Sequence, residues 1–259
     1  MESSLRRQSV VSMLLLLLAG CSQSDVLQKF ASPEDQALAR NYIDLLRQRR
    51  FEGIEKAADP SIGGASLHDT LVKMAALIPP GEPTSVTLVG AHRMNTVDSS
   101  TVNLTFEYGF SGKWLVTNVA VKRQGGSTTI VGFSVIPQRA SLEEQNKFTL
   151  SGKTPVQYFV LTLAIILPLL TLCVLVVCVR TKLKGRKWPW ILFVIFGFGK
   201  FVVNWTTSQW AFVPLSFQLF SASAVAPPYG QWTFAISFPL GAVTFLLLRR
   251  RLSAPAVGS

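Results

Sequence analysis

After Glu144 the chain contains no aspartate and no glutamate, although it runs on to Ser259. A bundle built from residues 145–259 therefore has no carboxylate for a proton relay or a hard-cation site, which counts against a proton- or metal-coupled transporter. Cysteine is nearly as scarce, at Cys21, Cys173 and Cys178. That leaves no pair for a disulfide framework in the polar first half and no CxxC metal motif. Cys173 and Cys178, five apart, lie about 140° apart around a helix and read as small apolar fillers. Histidine is limited to His68 and His92, and no HExxH, GxSxG, P-loop or EF-hand pattern occurs. No metal, cofactor or catalytic residue is assigned on this basis. One loose grouping stays open: His92, Asp98 and Glu107 on neighbouring strands as an acid–base set. Against it, Glu107 alternates with Phe106 and Tyr108 and is expected to face solvent if those two face the core.

All 14 acidic residues lie in residues 1–144 together with 14 of the 25 Lys and Arg, so the net charge of +11 belongs to the remainder. Its cations cluster at Arg180–Lys187 and Arg249-Arg250-Arg251, beside long apolar runs. That placement fits anionic lipid headgroups, and a nucleic-acid partner is not expected.

The longest apolar run, residues 156–179, is uncharged and long enough as a helix to cross a hydrocarbon core of about 30 Å. Five cations between Arg180 and Lys187 mark its far end as the cytoplasmic side. Two further spans are expected at about 188–206 and 231–248, with Trp188, Trp190 and Trp205 as an interfacial belt. The intervening 207–230, interrupted by Pro214 and Pro227-Pro228, is read as re-entrant or as an additional span. Three spans put Arg249-Arg250-Arg251 inside and four would not. Lys200 falls within the second span as a membrane-buried charge, either functional or snorkelling to the headgroups.

The amino terminus has Arg6-Arg7, the apolar run Val10–Ala19 and then Leu18-Ala19-Gly20-Cys21. Residues 1–20 read as a signal peptide. The last four residues resemble the lipobox of bacterial lipoproteins, which implies diacylation (palmitate-type) of Cys21 and a lipidated tether over 21–32. Two acyl chains hold a membrane durably. With helical spans following, the expected location is the bacterial inner membrane, with residues 21–155 periplasmic.

Between tether and first span, about 33–140, the pattern is helices followed by strands. Ser32-Pro33 with Asp35 starts a helix carrying Leu38, Tyr42, Leu45 and Leu46. A short helix over 51–58 follows, then a third with Ser66 as its expected cap and Leu67, Leu71, Met74, Ala75 and Ile78 as its apolar face. From Thr84 the period becomes two, giving four strands separated by turns at Gly109–Gly112 and Gln124–Ser127, the last closed by Pro137. The expected class is α+β, with helices on a four-stranded antiparallel meander. This order, with Trp-x-Val and Gly-Phe-x-Val in the last strands, resembles the nuclear-transport-factor-2-like (cystatin-like) cone. The resemblance implies either a pocket enzyme or a non-catalytic binding module. Residues 141–155 read as a linker, 156–251 as a helical membrane domain, and 252–259 as a cytoplasmic tail.

The function expected is a non-catalytic inner-membrane lipoprotein that presents a periplasmic domain for binding, assembly or sensing. Its expected partners are the lipid bilayer and another envelope or membrane protein. A small cone-fold pocket enzyme and an accessory subunit of a transport complex are the alternatives.

Overall fold

Ser32 opens the first helix as the sequence requires: its hydroxyl accepts from the Asp35 backbone N–H at 3.2 Å, and Pro33 occupies the first helical turn. The computed structural model in which this is seen describes residues 27, 30–64 and 66–253. The residues read as a signal peptide and lipobox, Cys21 included, most of those read as a tether, and residues 254–259 lie outside the described residues. The chain divides into two units, Met1–Glu144 and Gln145–Ser259.

In the first unit, α1 (Pro33–Arg47), α2 (Phe51–Ala57) and α3 (Leu67–Leu77) precede β1 (Ser85–Asn95), β2 (Ser99–Phe110), β3 (Lys113–Gln124) and β4 (Ser127–Gln138). The four strands form one antiparallel sheet in chain order, with register shifts at Leu88/Gly90 and Ala120/Val121. Such bulges bend the strand that carries them and sharpen its twist. This is the expected α+β arrangement. Alternation sends Val102, Leu104, Phe106 and Tyr108 to the face that α1 covers with Ala39, Ile43 and Leu46. Leu71 and Ala75 of α3 and Ile54 of α2 complete that core. Full burial of each large apolar side chain stabilises the fold by about 1.5–3 kcal/mol.

Two local expectations need adjustment. Ser66 does precede α3, but its hydroxyl makes no capping bond; it sits in helical rather than extended backbone, out of reach of the orphan N–H groups. Strand β4 also runs past Pro137, which pairs with Leu115. It can do so because β4 is an edge strand and a proline there forfeits no ladder bond.

The second unit begins with a short helix, α4 (Leu142–Asn146), that straddles the boundary, and then α5 (Pro155–Arg180). A full capping box starts α5: the Thr154 hydroxyl accepts from the Gln157 N–H, and the Gln157 side chain accepts from the Thr154 N–H. With 26 residues it is about 39 Å long.

Beyond α5 the all-helical membrane domain is corrected. Residues 188–206 form a short helix, α6 (Trp188–Val194), and a strand, β5 (Phe196–Asn204). Residues 207–230 contain β6 (Trp210–Leu219) and β7 (Ala222–Val225), and 231–248 splits into β8 (Thr233–Phe238) and the start of α7 (Leu240–Leu252). The strands make a second antiparallel sheet in the order β6-β5-β8-β7. Among the described residues α5 alone is long and apolar enough to cross a membrane as a helix. The local residues are compatible with strands, and long-range pairing selects them. Phe196-Gly-Phe-Gly199 alternates with period two and spends two glycines, Val202-Val203 is β-branched, and Gly199 has φ +69°, a left-handed conformation. Pro239 separates β8 from α7 because it cannot continue the ladder as an interior strand residue.

Candidate functional site

The residues proposed for acid–base chemistry do not come together. Asn103 is the cross-strand partner of His92, whereas Thr87 and Val116 flank Glu107, so four residues of strand, about 13 Å, separate the His92 and Glu107 levels. Asp98 lies on the exposed β1–β2 turn, and His92 is exposed as well. The expectation for Glu107 is corrected: it is on the outer face but only 6% exposed, and its Oε2 accepts from the Leu142 backbone N–H at 2.5 Å. The chain leaving β4 returns over that face, and the carboxylate holds the start of α4. His68 pairs through Nδ1 with Glu55 at 2.8 Å and meets Phe51 edge-on, clasping α2 to α3.

What would be the concave interior of a cone is occupied by side chains, Phe106 and Leu104 at its centre. Tyr108 points into the same core. Burial, reinforced by Asp44, pushes its phenol up to about 12, so it stays neutral across the physiological range.

The strongest charge constellation was not foreseen. Asp35, 4% exposed, receives Arg93 from β1 on one carboxylate oxygen and Arg123 from β3 on the other, each at 2.5 Å, while the Ser32 hydroxyl donates to it at 2.8 Å. Burial alone would raise its pKa. The hydrogen bonds from Ser32, Arg123 and Arg93 outweigh burial and hold the carboxyl below its ordinary value. Every partner is internal, so the cluster ties the first turn of α1 to the sheet.

The second unit contains a different kind of site. The chain from α6 to the end of β5 runs back toward the start of α5: Val174 and Cys178 pack with Val194 of α6, Val160 packs with Val203 of β5, and the Gln157 amide donates to the Asn204 carbonyl at 3.3 Å and the Trp205 carbonyl at 2.7 Å. Between helix and sheet opens an apolar cleft of about 530 Å³, bounded by Leu163 and Leu167 of α5, Phe198 and Phe201 of β5, and Phe212 of β6. Lys200 lines it and makes no hydrogen bond or ion pair among the described residues. A second cleft of about 340 Å³, lined by Phe193, Phe196, Gly197, Phe198, Phe217 and Leu240, shares Phe198 with the first. Trp205, placed by the sequence in an interfacial belt, is instead 1% exposed; its indole donates to the Thr149 carbonyl at 2.8 Å and stacks on Phe148.

Gly197 and Gly241 are buried in close contacts that leave no room for a side chain. A Cβ on Gly197 would lie 2.1 Å from Ser237 Oγ, and one on Gly241 would lie 1.7 Å from the Phe193 carbonyl oxygen. Ser237, Ser221 and Gln218 surround Gly197 with buried oxygens that have no protein partner among the described residues. Cys173 is exposed, Cys178 is buried, and the described residues contain no group of His, Cys, Asp or Glu able to hold a metal.

No family model, curated protein or solved structure matches the chain.

Proposed function

We propose that the protein is a membrane-anchored envelope module. In this reading α5 crosses the bacterial inner membrane and the unit before it stands on the periplasmic side, lipidated at Cys21, as a binding, assembly or sensing domain. The observation that carries the reading is how little of α5 the rest of the protein covers. Only 17% of its most apolar 18-residue stretch is buried, and Phe159, Ile165, Ile166, Leu169, Leu172 and Val176 are exposed on it. The core helix of a soluble domain hides such residues; a helix solvated by lipid does not need to. Arg180, Lys182, Lys184, Arg186 and Lys187 at its carboxyl end favour a cytoplasmic placement of that end.

A binding role for the first unit is favoured over catalysis because its interior is packed with side chains and its buried carboxylates, Asp35 and Glu107, make structural contacts. Its partner is another envelope or membrane protein.

Topology is tested by cysteine labelling in intact cells in a Cys173→Ser background. A membrane-impermeant maleimide will react with Gln124→Cys, which sits on the exposed β3–β4 turn, and will reach Lys184→Cys only after permeabilisation. Reaction at both positions in intact cells, or the reverse order of protection, would overturn the reading.

A further inference from the structure

We infer that the cleft between α5 and the second sheet binds an anionic acyl lipid, with the lipid's acyl chain on Leu163, Leu167, Phe198 and Phe201 and its anionic group on Lys200. Three observations carry it. The walls are almost wholly apolar, and the cleft volume of about 530 Å³ is of the size that small-molecule sites have. Its single cation, Lys200, has no ion-pair partner among the described residues, and residues 145–259 contain no aspartate or glutamate to supply one. A ligand that completes the site is therefore apolar for most of its length and negative at one end.

The third observation is depth. Asn204 lies beside Gln157 at the amino-terminal end of α5, and Lys200 is four strand residues away, about 13 Å. A lysine stem extends toward the polar layer at that end, as such side chains do in membranes. A lipid of that leaflet can then bring its phosphate to the ammonium while its chain follows α5 past Leu163 and Leu167 toward the centre. Phe198 continues the apolar wall into the neighbouring cleft. The inference rests on α5 lying in the bilayer. That premise is tested separately by the labelling described above, whereas lipid binding is measured in detergent, so the two can fail independently.

The experiment uses the full-length protein purified in mild detergent. Dioleoyl phosphatidylglycerol and dioleoyl phosphatidylcholine are titrated in turn, and bound lipid is counted by native mass spectrometry. One phosphatidylglycerol is expected to bind at least tenfold more tightly than phosphatidylcholine of the same chains. Lys200→Gln should abolish that preference and Lys200→Arg should keep it. Lys184→Gln, exposed on the basic loop after α5, should leave it unchanged, which separates the cleft from general attraction to basic residues. Leu167→Trp, which fills the cleft without altering charge, should weaken both lipids. Glycerol phosphate in excess should not compete. Equal binding of the two lipids, a wild-type preference in Lys200→Gln, loss of the preference in Lys184→Gln, or competition by glycerol phosphate would each overturn the assignment.

Discussion

Replacing Asp35 with Asn will destabilise the first unit by about 3 kcal/mol, the low end of what removing one partner from a buried ionic cluster costs. The low end applies because Arg93 and Arg123 retain partial exposure, 27% and 37% of their side-chain surfaces, and can recover some hydration once the carboxylate is gone. The loss has two parts: the ion pairs that join α1 to β1 and β3, and the reach of the Ser32 hydroxyl toward a charged acceptor. The slowest amides of β2 and β3, in the full-length protein at pH 7, should then exchange roughly 100-fold faster, since about 1.4 kcal/mol is a factor of ten.

The effect carries a pH signature with a definite sign. The Asp35 carboxyl is held below its ordinary value in the folded protein and titrates near 3.9 when unfolded. Its contribution is therefore complete above the unfolded pKa and is lost as pH falls through the folded one. The gap between wild type and Asp35→Asn should be widest at neutral pH and should narrow below about pH 4. A gap that is constant from pH 7 to 3 would mean that the charge is not what stabilises the contact.

Gly241→Ala will disrupt the second unit by about 3 kcal/mol or more, at or beyond the upper end of ordinary overpacking. Gly241 opens α7 where it crosses α6. An added Cβ would stand 1.7 Å from the Phe193 carbonyl oxygen, 2.5 Å from its carbon and 2.9 Å from the Val194 Cα. All three atoms are backbone, so no side-chain rotation relieves the clash. The helices must separate, exposing the cluster of Val194, Ala242 and Phe245 against Val174 and Cys178. The measurement is the thermal midpoint of the detergent-solubilised protein followed by tryptophan emission, helped by Trp190, which packs on Phe245. Gly185→Ala, on an open loop with no neighbour near its added Cβ, should leave that midpoint unchanged. Equal behaviour of the two variants would mean that α6 and α7 do not approach as closely as described.

Where local chemistry is decisive, the structure agrees with the sequence. Ser32-Pro33 is a cap whose geometry is set within four residues, so α1 was legible from its first turn, whereas α5 was legible from its apolar length and its Thr154-Gln157 capping box emerged only in the structure. The period-two pattern from Val102 to Tyr108 reveals a strand with one buried face, because a single slip would turn every apolar residue outward. The buried Asp35 could in principle have been sought as an acid at a helix start with arginines on later strands. Its partners are 58 and 88 positions away, however, and only the sheet register brings them together.

The region after Lys187 shows the opposite case. A stretch that is apolar on nearly all sides has no polar face to report its period, so apolar length in 188–206, broken by the single charge of Lys200, and in 231–248 fits a buried helix and a buried strand equally well. What distinguishes them is pairing: Phe201 with Phe212 on one side and Ile236 on the other, partners 11 and 35 residues distant.

By itself, then, the sequence determined the Ser32 cap, the meander, the long apolar helix and the segregation of every acid into the first 144 residues, since each depends on neighbours or on composition. Only the tertiary structure decided that the later apolar runs pair as strands, that Glu107 is covered, and that Lys200 borders a cleft. Those outcomes depend on which distant segment supplies the missing hydrogen bonds and the missing wall.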